Sequence, residues 1–186
     1  MKTQTYISSI IAVCIIALFS GLAGCKSDDH DHDHDDHGTP GIVTLTLRDT
    51  ANATSVLTAV WRDMDGAGGA NPTIDTLRLQ ANKVYNGTIT ITATDNSDLT
   101  PTIRSEADEH QFFFGVSGNA AGKLTIIPTD KDSKNLPIGL AFRATTAAAA
   151  AGTFTVSLFH YDDVAKDGVA KSPETDVECL FPVVIQ

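Results

Sequence analysis

Four histidines and six aspartates fall within ten consecutive positions of the segment GCKSDDHDHDHDDHGTPG, residues 24–41. Neutral imidazole is a strong ligand for Zn²⁺, Cu²⁺ and Ni²⁺. His30, His32, His34 and His37, with Asp31 and Asp33 between them, are therefore a candidate ligand set for a divalent transition metal. Alternation puts His30, His32 and His34 on one side of an extended chain. A flexible chain could instead wrap several imidazoles around one ion, with the aspartates adding charge and outer hydrogen bonds. Those carboxylates keep the imidazoles basic, so protons compete with metal in mild acid. No site is preformed in such a segment, so capture is expected to be reversible and not very selective.

A second set of candidates lies further along. In DEHQFFF, Asp108 and His110 share a face if the segment is a strand. His160 ends the run GTFTVSLFHY, and Asp162 follows it. Two histidines and two carboxylates suit zinc if the strand ends converge. The bland alternative is a packed histidine beside three phenylalanines with one satisfied hydrogen bond. Asp63 and Asp65 in DMDGAGG have the opening spacing of a calcium loop, but Ile74 stands where the bidentate glutamate belongs. A tight strand connection explains the same residues better, with glycines supplying positive φ and aspartates closing side-chain turns. No G-x-S-x-G, H-E-x-x-H, phosphate-binding glycine loop or zinc-spaced cysteine pair occurs, so no catalytic residues are assigned and a non-enzyme is expected.

The elements that must position these residues are strands. VTLTLRD, ATSVLTAVWRD, DTLRLQ, GTITITATD, HQFFFGV, GKLTIIPTD, IGLAFRATT, GTFTVSLFHY and DVECLFPVVIQ are short, rich in Val, Ile, Thr or Phe, and bounded by Gly, Pro, Asn or Asp. No segment sustains an apolar period of about 3.6 residues. About eight or nine strands predict an all-β, antiparallel, immunoglobulin-like sandwich over residues 42–186, with a closed barrel as the alternative. Residues 25–41 carry too little apolar surface to offset their ordering entropy and read as a disordered tether. The net charge is −10. Such a balance argues against nucleic acid as a partner and against electrostatic adhesion to anionic lipid.

The first 24 residues read as a cleaved signal peptide: IIAVCIIALFSGLAG is shorter than the roughly 20 residues that cross a bilayer and ends in small residues. Leu22-Ala23-Gly24-Cys25 resembles the bacterial lipobox, which implies cleavage before Cys25, a diacylglycerol on its thiol and acyl chains of the palmitate type. With Cys14 removed and Cys25 lipidated, Cys179 stands alone and no internal disulfide can form. Lys26-Ser27-Asp28-Asp29 resembles the surface-export signal of Bacteroidota-type lipoproteins. It implies an outer-membrane protein facing the cell exterior; a periplasm-facing lipoprotein with a merely solvated tether is the alternative.

The motifs WRDMDGAGG, LRLQANKVYNGTITI, DEHQFFF and GTFTVSLFH, with the final PVVIQ, resemble a family of small envelope lipoproteins of Bacteroidota-type bacteria. Its members are hypothetical lipoproteins, some labelled type 1 periplasmic binding fold. That fold alternates helices and strands, a pattern this chain lacks. The resemblance implies an all-β cell-envelope domain and no activity. Asp49-Thr50-Ala51 and Asp75-Thr76-Leu77 resemble O-glycosylation acceptor sites of such bacteria. Together these features lead to the expectation of an accessory zinc-type binding protein that serves a TonB-dependent outer-membrane receptor or another transporter. A structural module docking an envelope protein or glycan, with the tract as spacer, is the competing expectation.

Overall fold

Alternating burial builds the first sheet. In β1 (Pro40–Asp49), Val43, Leu45 and Leu47 are fully buried while the intervening residues face outward. A short connection leads to β2 (Asn52–Arg62), closed by Asp49 Oδ1 accepting from the Ala51 N–H at 2.8 Å. β3 (Thr73–Ile74) borders β2. On the other side of β1 lie β5 (Val84–Ala93), β8 (Ala141–Thr146) and β7 (Leu124–Pro128), giving the order β3-β2-β1-β5-β8-β7. The second sheet contains β4 (Leu77–Leu79), β10 (Glu174–Ile185), β9 (Ala150–His160) and β6 (His110–Gly118), in the order β4-β10-β9-β6. This computed structural model describes residues 38–66 and 68–186.

The two sheets form the expected all-β sandwich, with Leu45, Ile89 and Phe142 from one and Phe112, Phe154 and Phe181 from the other in a single core. Phe142 meets Phe114 across the gap at a centroid distance of 5.3 Å. Three details depart from the sequence-based expectation. β4 pairs with β10 in parallel, so the second sheet is not wholly antiparallel. β1 starts at Pro40, so Pro40 and Gly41 belong to the sheet rather than to the tether, and the Gly41 carbonyl accepts from the Asp63 N–H at 2.8 Å. A helix, α1 (Thr100–Ser105), precedes β6. Six residues are too few to display an apolar period; Pro101 fits its first turn, and Ile103 is its buried anchor. Among the described residues, no helix is long and apolar enough to cross a membrane.

Two packing details carry predictions. Gly87 of β5 lies beneath the Phe142 ring, which occupies the place a Cβ would take. Gly87→Ala should therefore destabilise the domain by about 1–3 kcal/mol through overpacking, read as a lower urea midpoint. Cys179 points into the core from β10, and burial pushes its thiol pKa upward. Peptide mapping after alkylation should find Cys179 unmodified in the native protein and modified only after unfolding.

Candidate metal centre

The pairing register of β6 and β9 sets His110 directly opposite His160, at the first residue of one strand and the last of the other. Strand alternation gives both rings the inward face that Phe112 and Leu158 share. They stack with centroids 4.4 Å apart and planes inclined by 11°. Both residues are buried, at 3% and 8% exposure. The register of β10 on β9 passes from Thr175–Phe159 to Val177–Leu158, which leaves Asp176 as the extra residue of a bulge. Bulges re-aim side chains, and here the Asp176 Oδ2 lies 3.9 Å from His110 Nε2.

A hydrogen bond orients the His110 ring, and a carboxylate contact lies beside the His160 ring. His110 Nδ1 lies 3.1 Å from the Glu106 carbonyl oxygen. A carbonyl can only accept, so Nδ1 donates in this bond and Nε2 is the ring nitrogen that faces Asp176. His160 Nε2 lies 2.9 Å from Asp162 Oδ1. The Tyr161 N–H donates to the Glu109 carbonyl at 2.8 Å, tying the turn before β6 to the residue after β9.

Two ligand groups result. The donor atoms of His110, His160 and Asp176 lie within 4.8 Å of one another, and so do those of Glu109, His160 and Asp162. Zinc bonds of about 2.0–2.2 Å set tetrahedral donors roughly 3.4 Å apart, so binding requires the donors to close up and the stacked rings to tilt towards one ion. His110, His160 and Asp176 could hold a metal ion with a fourth position left open. Two nitrogens and one oxygen are a donor set suited to zinc and its neighbours.

A buried ion pair braces this end of the sandwich. Lys166 Nζ has no exposed side-chain surface; it bonds Asp132 Oδ2 at 3.0 Å and the Ala107 carbonyl at 2.7 Å. Burial alone would raise the Asp132 carboxyl pKa, but the Leu136 N–H, the Lys166 ammonium and the Lys134 N–H hold it below the usual range. Gln111 Nε2 donates to the Gly168 carbonyl at 3.2 Å, and the Tyr161 hydroxyl to the Ala170 carbonyl at 2.6 Å. The β9–β10 connection is thereby fastened to the segment that carries Glu109 and His110.

His110, His160 and Asp162, singled out in the sequence, come together in space. Asp108 does not join them. It sits in the turn at 106–109, before β6 begins, so strand alternation never reaches it, and it pairs with Lys134 at 3.4 Å. Glu109 and Asp176 stand in the groups instead, and the bulge that aims Asp176 has no sequence mark. Asp63 and Asp65 serve their turn: Asp63 Oδ1 accepts from the Gly66 N–H at 2.9 Å and Asp65 Oδ2 from the Ala70 N–H at 2.8 Å. The Ala70 N–H also lowers the Asp65 carboxyl pKa, and Gly66 and Gly68 supply φ of 73° and 90°. Among the described residues, neither aspartate belongs to a group of three metal-ligating side chains. Cys25 and the tether set of His30, His32, His34, His37, Asp31 and Asp33 lie outside the described residues. No family model, curated protein or solved structure matches this chain.

Proposed function

We propose that this protein is a lipoprotein that binds a divalent transition metal of the zinc type, and that its sandwich domain contains the holding site. The observation that carries the reading is the register-matched, stacked pair His110–His160 with the bulge-aimed Asp176 beside it. The tether set from His30 to His37 is a second, looser set of ligands, fit for capture rather than storage. Cys25 anchors the chain by lipid to the outer membrane, facing the cell exterior, where bound metal passes to a TonB-dependent receptor or another transporter. The role is binding, not catalysis.

Calorimetric titration of zinc into the full chain, into H30N/H32N/H34N/H37N and into H110N/H160N tests this. Each variant is expected to lose one class of site and keep the other. A domain contribution that survives H110N/H160N unchanged would refute the assignment of the holding site.

A further inference from the structure

The two ligand groups share one residue, His160, and differ in every other respect. His110 is buried and Asp176 is half-buried, whereas Glu109 and Asp162 are exposed. The outer group offers one imidazole and two carboxylates; the inner group offers two imidazoles and one carboxylate. Oxygen-rich, solvated sites suit an ion that still keeps several waters, and nitrogen donors hold a zinc-type ion more tightly. The groups are also covalently close, since Glu109 precedes His110 in the chain and Asp162 lies just beyond His160.

Resting on the metal-binding reading above, we infer that Glu109, His160 and Asp162 form an entry position, and His110, His160 and Asp176 a holding position, for one divalent transition-metal ion. His160 stays bound throughout, so the ion exchanges Glu109 and Asp162 for His110 and Asp176 without leaving the protein. The exchange replaces two carboxylate ligands with one imidazole and one carboxylate, and it releases water. Release follows the same path in reverse, which gives an acceptor protein access to the ion through the exposed carboxylates.

Cobalt(II) is the probe, added in stopped flow to the full chain carrying H30N/H32N/H34N/H37N, which removes the tether imidazoles. Expected first is a weak high-coordinate visible spectrum, followed by the intense band of a four-coordinate ion. E109Q/D162N should slow association about tenfold or more while changing equilibrium affinity much less. D163N/E174Q removes the same charge from this end of the sandwich and should leave the rate within about twofold, which separates ligation from electrostatic steering. H110N should stop the reaction at the first spectrum; D176N, which keeps both buried rings, makes the same test where H110N fails to fold. A single-phase appearance of the intense band, or equal slowing by E109Q/D162N and D163N/E174Q, overturns the entry position while leaving the holding site intact. Absence of any cobalt binding to the domain overturns the metal-binding reading itself.

Discussion

Asp132→Asn should destabilise the domain by about 3–5 kcal/mol, because it leaves the Lys166 ammonium buried against a neutral partner. A domain of this size has only about 5–15 kcal/mol of stability to lose. The ion pair carries this weight because neither side chain is exposed and Lys166 also binds the Ala107 carbonyl, so the lysine has no route to water. Replacing both partners with apolar residues should not recover the loss, because Asp132 Oδ1 also accepts from the Lys134 and Leu136 N–H groups at 2.9 and 2.8 Å and the Ala107 carbonyl would lose its donor. Urea denaturation of D132N and of the D132L/K166M pair makes the comparison.

The same carboxylate sets a pH dependence. Its pKa is lowered in the folded state, so its ionised form contributes stability at pH values above the unfolded carboxyl pKa of about 4. That contribution is lost as pH falls from there through the lower folded-state value. The urea midpoint of D132N should consequently fall less steeply than that of the parent protein below pH 4.

Zinc should stabilise the domain, and His160→Asn should abolish the effect. At a free concentration about a hundred times the dissociation constant, one site adds about 2.7 kcal/mol. For a domain of roughly 150 residues this raises the melting temperature by about 5–10 °C. Because His160 belongs to both ligand groups, its loss should erase the shift, whereas D108N should leave it unchanged. Scanning calorimetry in the H30N/H32N/H34N/H37N background keeps the tether from contributing.

The sandwich was legible in the sequence because one-sided burial writes itself as alternation. VTLTL and TITITA alternate in this way, one face buried and the other open. β3 and α1 are too short to carry a period, and their place is set by the longer strands they pack against. The candidate site was legible only in its residue types. Whether His110 meets His160 depends on the register of two strands far apart in the chain, which no local pattern fixes. The choice of carboxylate turned on still finer points: the strand begins at His110, so Asp108 falls outside it, and a single inserted residue in β10 brings Asp176 in. The tether is the opposite case. The candidate ligands from His30 to His37 are read from composition alone, and they lie outside the described residues.

X-ray absorption at the zinc edge, on the full chain carrying H30N/H32N/H34N/H37N and loaded with one equivalent of zinc, tests the holding site most directly. Two imidazoles and a carboxylate oxygen at about 2.0–2.1 Å are expected, and the imidazole scattering should disappear when His110 and His160 are replaced by asparagine. A spectrum of oxygen ligands alone, or one indifferent to those two replacements, would contradict the account.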